Sequence, residues 1–291
     1  MIRRSVAVLL VALLVAACGP DAPGASPTPT PAPFPTPTVT LYGLNTTVWY
    51  AGLVLTFTTA TAELDERGGT VALAGRVANP GTDDRTFNIP LRITAGAQGF
   101  ELSRGQEVAP IPAGGLVAFA LTFDVIGRSN VDDAILRVGP STEHQALVPF
   151  ESGTTPTVAL QPVTLKVKGT ANAADLRVVL RTGELRWDLP DWADELPNPS
   201  AAITLTYGAT YRGTFQGGLA FTGDNVSLQL PDGTVVEERA DGRSQTIGLI
   251  LPGRTLAATS RFEVPSGMTG RFVLIVRNGS AHATIAFTVP G

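Results

Sequence analysis

Apolar and polar residues alternate along most of the chain beyond residue 40, with the period of two that is typical of β-strands. In residues 117–124, VAFALTFD, every second side chain is large and apolar, as expected for a strand with one buried face. The same alternation runs through residues 53–57 and 71–77. Turn sequences such as Asn79-Pro80-Gly81 and Pro231-Asp232-Gly233 separate these runs, and no long stretch has helical periodicity. The pattern predicts an all-β protein made of sandwiches of short strands.

Two halves of the chain are similar to each other. Residues 111–125, IPAGGLVAFALTFDV, align with residues 250–264, ILPGRTLAATSRFEV, and the separation between matched residues drifts only slowly along the chain. The matched pairs include Gly75 with Gly208, Phe87 with Phe221, Phe123 with Phe262, Val138 with Val276, His144 with His282, and Leu147 with Ile285. We interpret this as two tandem copies of one β-sandwich, residues 41–152 and 163–291, with a linker at 153–162. The rival interpretation is convergent strand patterning.

The first 17 residues have the pattern of an export signal. Arg3 and Arg4 precede an uncharged run that ends in Leu14-Val15-Ala16-Ala17-Cys18. At about a dozen residues this run is short for a membrane span, which needs about 20. The segment resembles the lipobox of bacterial lipoproteins, in which diacylglycerol is attached to the cysteine and the chain is cut before it. The resemblance implies that 1–17 is a signal peptide and that Cys18 is the lipid attachment site, carrying acyl chains such as palmitate. The alternatives are an ordinary secretory signal or an uncut anchor helix.

Residues 18–40 form a predicted linker rich in Pro and Thr. Alternating proline removes backbone donors, so the segment cannot join a sheet or continue a helix. We expect a disordered, extended spacer of about 3.1 Å per residue that holds the folded part away from a membrane. By the same resemblance, Gly19 in place of Asp favours the outer membrane where there is one. The predicted location is therefore the cell membrane or outer membrane, facing outside the cytoplasm.

Composition narrows the function classes. The chain has 21 Lys and Arg against 25 Asp and Glu, a formal net charge of −4, and this acidic balance argues against nucleic-acid binding. Cys18 is the single cysteine, so disulfides cannot stabilise the sandwiches and their cores must rest on packing.

Each copy resembles the immunoglobulin-like domains of unknown function that occur in many secreted bacterial lipoproteins. The resemblance is carried by GRVANPG at residues 75–81, an apolar strand from Phe87, and LVAFALTFDV at residues 116–125. In the second copy YGATYRG at residues 207–213 replaces the Asn-Pro-Gly turn. The resemblance implies an immunoglobulin-like fold and no particular activity.

Candidate chemistry is sparse. His144 and His282 invite a metal or pH-switch interpretation, but one histidine per copy on the polar face of a strand favours an exposed residue inherited by duplication. There is no nucleophile elbow, phosphate-binding glycine loop or His-Glu-x-x-His motif. We therefore predict a protein that is not an enzyme and has no cofactor.

The most unusual segment is GELRWDLPDWADELPNPS, residues 183–200, which has no counterpart in the first copy. Trp187 and Trp192 could grip a sugar or a partner protein, and Asp188 and Asp191 could join that contact. A solvated acidic loop with a short helical turn and one Trp on the sandwich edge is the favoured interpretation. Protein or glycan contact comes second, and calcium binding third; no metal site is predicted.

These observations predict a lipid-anchored, extracytoplasmic, non-catalytic binding or scaffolding protein of the bacterial cell envelope. The alternative is a glycan- or solute-binding accessory lipoprotein of an uptake or wall-processing system, with the Trp-rich segment as its site. The expected partners are the membrane, through the lipid on Cys18, and an envelope protein or polysaccharide.

Overall fold

A computed structural model describes residues 36–103, 107–127, 129–151, 153, 155–239 and 248–291. The predicted signal peptide, Cys18 and the linker up to residue 35 lie outside the described residues. Within the described ranges, the structure has no helix with the length and apolarity needed to cross a bilayer. The all-β prediction is confirmed, because strands and short 3₁₀ turns account for the regular structure of these ranges.

The first sandwich consists of two four-stranded antiparallel sheets, ordered β1-β2-β3-β6 and β5-β4-β7-β8. Strand β6 shows why these residues form such sheets, since Phe119, Leu121, Phe123 and Val125 are buried while the residues between them face outwards. The strands are β1 Thr38–Tyr50, β2 Leu53–Asp65, β3 Gly68–Ala78, β4 Leu91–Ala95, β5 Gln98–Glu101, β6 Leu116–Ile126, β7 Ile135–Val138 and β8 Ala146–Pro149.

The second sandwich repeats this arrangement, with sheets ordered β10-β11-β14-β19 and β17-β16-β20-β21, while β9 pairs with β11 and β15 with β18. Its main strands are β9 Val163–Leu165, β10 Gly169–Ala173, β11 Leu176–Arg186, β14 Ser200–Tyr211, β15 Leu219–Phe221, β16 Val226–Gln229, β17 Val235–Glu237, β18 Gly248–Ile250, β19 Thr255–Pro265, β20 Gly270–Asn278 and β21 Ala281–Val289. A short hairpin, β12 Asp188–Leu189 and β13 Asp194–Glu195 around the 3₁₀ turn Pro190–Trp192, is inserted between β11 and β14, and a second 3₁₀ turn spans Gly223–Asn225.

Strand for strand, the two sandwiches have the same order, so each strand of the first has an equivalent in the second. Phe123 and Phe262, matched from the sequence, are both fully buried at equivalent places on β6 and β19. The pair Arg85–Ile111 of the first sandwich is equivalent to the pair Leu219–Ile250 of the second. Phe87 and Phe221 lie two residues beyond Arg85 and Leu219, so they also correspond. The immunoglobulin-like character of the sandwiches stays a prediction.

Three matches made from the sequence are wrong by one residue. Gly75 pairs with Phe119 across the sheet, and the equivalent of Phe119 on β19, Ala258, pairs with Tyr207. Gly75 therefore corresponds to Tyr207 and not to Gly208. Leu136 on β7 pairs with Val148 on the last strand, and the equivalent of Leu136, Leu274, pairs with Ile285. Ile285 therefore corresponds to Val148 and not to Leu147. The same shift separates His144 from His282. Alternating patterns tolerate such slips in a sequence comparison, whereas cross-strand pairing does not.

Each sandwich has its own hydrophobic core. The first core is centred on Phe57 and Phe123, and the second on Phe262 and Phe272, all with no exposed surface. Burial of one such side chain contributes about 1.5–3 kcal/mol, and packing of this kind is the source of stability that the sequence predicted. Part of the predicted linker joins the first sandwich, since Val158 exchanges two backbone hydrogen bonds with Leu147.

Candidate functional site

The two sandwiches, gaps aside, belong to one compact unit, Thr36–Gly291, and the inserted hairpin β12–β13 lies where they meet. This hairpin is the acidic, Trp-containing segment that the sequence singled out. Pro190 begins the 3₁₀ turn at the tip of this hairpin, and Ala193, with a positive φ of 56°, ends the turn. The hairpin turns its buried carboxyl groups, those of Asp188 and Glu195, towards the first sandwich.

Those carboxyl groups bind the tip of the β1–β2 hairpin. Ala51 and Gly52 both have positive φ, 48° and 79°, which is a feature of the two-residue I′ turn. The Ala51 N–H donates to Glu195 Oε2 at 2.8 Å, and the Gly52 N–H donates to Asp188 Oδ2 at 2.7 Å. Side-chain acceptors from one sandwich therefore satisfy the turn amides of the other, and Asp188 and Glu195 are only 4% and 5% exposed.

Arg186 holds Asp188 in place. Its Nε lies 2.6 Å from Asp188 Oδ1 and its Nη2 lies 3.1 Å from Asp188 Oδ2, a two-point contact that fixes the carboxylate plane. Burial by itself would lower the pKa of Arg186, but the hydrogen bond and charge of Asp188 and the charge of Glu184 raise that pKa overall. Asp188 is therefore a buried, paired anion that spans both sandwiches.

Backbone contacts reinforce the junction on either side of the turn. Gly52 lies so close to Pro190 that an added Cβ would come within 2.7 Å of the Pro190 Cα, and Arg85 Nη2 donates to the Pro190 carbonyl oxygen. We call the set of contacts between the β1–β2 tip and the inserted hairpin the junction clamp, made by Ala51, Gly52, Asp188, Pro190 and Glu195.

A second line of contact runs beside the junction clamp. The Asn198 N–H donates to the Thr142 carbonyl at 3.1 Å, and Glu143 and Pro197 form an isolated β-bridge. His144 Nε2 lies 2.6 Å from the Ser200 carbonyl oxygen and must carry the proton there, because a carbonyl only accepts. His144 thus joins the two sandwiches, whereas His282 is exposed on β21.

The two tryptophans and Asp191 are engaged within the second sandwich. Trp187 packs against its core, and Trp192 packs with Leu189, Leu196 and Ala202 in a small separate cluster. The Arg261 guanidinium lies 4.5 Å from the Trp192 ring centroid, and Arg261 Nη2 lies 3.0 Å from Asp191 Oδ2. Of the four candidate contact residues, the structure thus brings Asp188 to the junction and uses the other three to support the inserted hairpin.

A cavity of about 490 Å³ opens beside the junction clamp, within the size range of small-molecule sites. Its wall includes Tyr50, Asp84, Arg85, Glu143, Asp194 and Glu195. The Tyr50 hydroxyl donates to Glu143 Oε2, and burial followed by this contact raises the pKa of Tyr50. The sequence analysis missed Tyr50, Arg85 and the role of Glu143. The Ala-Gly pair in WYAGLV, which is typical of a two-residue hairpin turn, is the signal that could have indicated this tip.

Glu195 has the most unusual electrostatic environment of the wall. Burial raises the pKa of its carboxyl to about 9; the hydrogen bond from Ala51 N–H opposes this shift, the charges of Asp188 and Glu143 add to it, and Arg186 opposes it. The second oxygen, Oε1, is buried and accepts no hydrogen bond from the residues that the structure describes. Glu195 therefore favours the protonated form at neutral pH.

In the same described ranges, no group of three or more His, Cys, Asp or Glu residues is arranged to hold a metal ion. No protein-family model and no curated protein sequence matches the chain.

Proposed function

We propose that this chain is a lipid-anchored, extracytoplasmic binding or scaffolding protein of the bacterial envelope, built from two immunoglobulin-like sandwiches and without catalytic activity. Cys18 carries the lipid, and the Pro- and Thr-rich residues between it and Thr38, where β1 begins instead of at the predicted residue 41, space the sandwiches from the membrane. The observation that supports this function best is the junction clamp, because it ties two sandwiches of the same design into a unit with a defined geometry. A scaffold needs such rigidity, since a preorganised surface loses less entropy when it binds.

The strand order supports the immunoglobulin-like part of the proposal. In each copy the chain crosses to the second sheet after β3 or β14, returns to the first sheet for β6 or β19, and crosses again before the last two strands, as in Greek-key sandwiches. Folds of this type serve many unrelated functions, so the function rests on the junction and the anchor rather than on the fold.

The anchor is tested with Cys18→Ser in the native host. Two acyl chains hold a protein on a membrane far more firmly than one, because each buried methylene contributes about 0.8 kcal/mol. The substituted protein should leave the membrane fraction or remain unprocessed, while wild type sediments with membranes and carries lipid. Normal lipid labelling of Cys18→Ser would refute the anchor.

The scaffold function is tested by crosslinking and capture from intact envelopes. Wild type should capture a defined envelope protein or polysaccharide, and Asp188→Ala, which loosens the junction clamp, should reduce that capture while the anchor stays in place. Glu66→Ala, at an exposed turn of the first sandwich, is the matched control. Equal capture by wild type and Asp188→Ala would show that the partner does not depend on the geometry of the junction.

The second candidate function is that of a glycan- or solute-binding accessory lipoprotein of an uptake or wall-processing system. The cavity at the junction favours it, because ligand sites are often found where domains meet. Trp187→Ala and Trp192→Ala test whether the two indoles contact the ligand, as the sequence predicts for this function. Unchanged ligand binding by both variants would show that the tryptophans are not part of the site.

A further inference from the structure

The two sandwiches differ in what covers one of their ends. In the first sandwich, the end that carries the β1–β2 tip and the loop at residues 79–85 is covered by the inserted hairpin. The equivalent end of the second sandwich consists of the β10–β11 tip at residues 174–175, the loop at residues 212–218 and residues 249–254. We call it the distal end. Strand β11, with 11 residues at about 3.3 Å each, separates it from the inserted hairpin by roughly 35 Å.

Three large apolar side chains are exposed together at the distal end. Phe215, Leu249 and Leu251 are 69%, 63% and 46% exposed. Leu249 and Leu251 are two residues apart at the end of β18, so they point to the same side. Only Gly217 and Gly218 lie between the Phe215 ring and Leu249, since an added Cβ would come within 2.4 Å of the ring and 3.1 Å of Leu249 Cδ1, respectively. The three side chains form one apolar patch, and exposed patches of this kind mark sites of protein contact.

The first sandwich does not have this patch. The alignment of cross-strand pairs matches Leu249 and Leu251 with Pro110 and Pro112. The loop at residues 79–85 contains no aromatic residue, whereas its equivalent carries the exposed phenylalanine of the patch. The shared sandwich design therefore does not require the patch, and burial in the core of the second sandwich does not account for it.

The distal end also carries exposed charges of both signs. Arg212 and Arg254 lie on either side of the patch in the chain, Asp175 lies at the β10–β11 tip, and Asp224 follows β15. Among the residues that the structure describes, none of the four forms an ion pair. A surface with one sign of charge would repel its own copy, whereas charges of both signs can face opposite charges across a contact between two copies.

We propose that the distal end is a contact surface between two copies of this chain, in which the two apolar patches pack against each other about a two-fold axis. The first sandwich indicates the class of occupant, because its equivalent end is covered by another sandwich of the same design. A second copy cannot use its inserted hairpin for this contact, since Asp188 and Glu195 are engaged at its own junction. Contact between identical distal ends remains, and a two-fold contact of this kind closes at the dimer.

The position of the distal end suits this partner. Strand β1 begins at Thr38 and runs to the junction, and β11 runs from the distal end to the junction, so the distal end lies opposite the start of the first sandwich. A chain attached to a membrane through residues before Thr38 leaves this end accessible, and attachment raises the effective concentration of the copies. The inference deepens the proposed scaffolding function, on which it rests, by naming a second copy as a partner.

The first test is sedimentation equilibrium of the full-length protein in a detergent of matched density, over a wide range of concentration. We expect a reversible equilibrium between monomer and dimer. Phe215→Ser and Leu249→Ser should each weaken the dimer by roughly 10- to 100-fold, because each removes one apolar side chain from the contact. The matched control is Ile126→Ser, on β6 of the first sandwich, which replaces a side chain that is 82% exposed.

Three results of this experiment would overturn the proposal. They are a protein that stays monomeric at every concentration, growth beyond the dimer, and a loss in Ile126→Ser as large as that in Phe215→Ser. The melting temperature of the dilute protein should be the same in Phe215→Ser and in wild type, because the ring is exposed in the monomer, and this separates association from folding.

The second test locates the contact in the native envelope. Gln216→Cys places a thiol beside the patch, and mild oxidation of membranes should trap a disulfide-linked dimer of the chain. Glu66→Cys, at an exposed turn of the first sandwich, should give much less, and wild type measures any contribution of Cys18. Adding Phe215→Ser to Gln216→Cys should remove the trapped dimer. Trapping of a different protein in place of a second copy would show that the partner is foreign and would overturn the proposal.

The outcomes separate this inference from the proposed function. If the protein is anchored through Cys18 and captures an envelope partner but stays monomeric, the second copy is the wrong partner and the scaffold function stands. If the dimer forms and depends on Phe215 but Cys18→Ser stays lipid-labelled, the contact surface stands and the anchor is wrong.

Discussion

The two sandwiches have the same strand order but differ at one turn. In the first, β2 and β3 are joined by the short turn at residues 66 and 67, whereas in the second the equivalent strands β11 and β14 are separated by residues 187–199, which form the inserted hairpin. A surface turn tolerates insertion because loop closure costs little extra entropy. The difference shows how a tandem repeat acquires a junction: one copy lengthens a turn that the other leaves short.

The β1–β2 tip of the first sandwich and the β10–β11 tip of the second also differ in their surroundings. Ala51 at the β1–β2 tip and Ala174 at the β10–β11 tip both have positive φ, 48° and 46°. The first tip is covered by Asp188 and Glu195, while Ala174 and Asp175 at the second tip are exposed. The two turns share a positive φ at their first residue and differ at the second, where Gly52 has a φ of 79° and Asp175 is not in the positive-φ region. The first tip is covered because the inserted hairpin of the second sandwich lies against it.

The largest expected effect tests whether the two sandwiches are equally stable and unfold together. Phe123→Ala and Phe262→Ala each empty a fully buried site at equivalent positions and should each cost about 3–5 kcal/mol of unfolding free energy. Because the junction clamp couples the sandwiches, we expect one shifted transition in denaturant, followed by circular dichroism and tryptophan fluorescence. Two separate transitions already in wild type would show that the sandwiches are independent.

Asp188→Ala should have the largest effect of any substitution at the junction. It leaves Arg186 without its two-point partner and the Gly52 N–H without an acceptor, and loss of one partner of a buried ion pair costs about 3 kcal/mol. Thermal unfolding should then split into two transitions. The control Glu66→Ala, at the exposed equivalent turn of the first sandwich, should change stability by less than about 0.5 kcal/mol.

Glu195→Gln should stabilise the protein above neutral pH. The unfolded carboxyl has the ordinary pKa of 4.5 and the folded one about 9, so the favourable contribution of this group is complete below 4.5 and is lost as the pH rises towards 9. Glutamine keeps the acceptor for Ala51 and has no charge, which should make it more stable than wild type by about 2 kcal/mol at pH 7. Urea unfolding at pH 4.5 and 8 measures this, with Glu63→Gln on the exposed face of β2 as control. A variant less stable than wild type at pH 8 would contradict the buried-proton interpretation.

Trp192→Ala should have the smallest effect of the four. Its half-buried ring loses contact with Leu189 and Leu196 and its stacking on Arg261, which is worth about 1 kcal/mol. A shift of a few degrees in melting temperature, against none for the exposed Phe215→Ala, would show that Trp192 supports the inserted hairpin. An unchanged melting temperature would return Trp192 to the status of a surface residue available to a partner.

Sequence patterns predicted the strands because burial on a sheet is a local property. An alternation such as that of residues 117–124 lies in consecutive residues and recurs in both halves of the chain. The all-β class and the similarity of the two halves could therefore be inferred without coordinates. Register could not: Gly208 and Leu147 were matched one residue off, because neighbouring positions in an alternating pattern differ little in composition and only cross-strand hydrogen bonds distinguish them.

The sequence alone determined the periodicity of the strands, the acidic balance, the single cysteine at residue 18 and the unusual composition of residues 183–200. Only the tertiary structure decided what that segment contacts. Asp188 and Glu195 meet Gly52 and Ala51 across more than a hundred intervening residues, and no local pattern records such a distance. The sequence does not distinguish an Asp in a solvated loop from an Asp buried against a turn. The tertiary structure makes the difference, because the fold places the Gly52 amide beside the carboxyl group of Asp188.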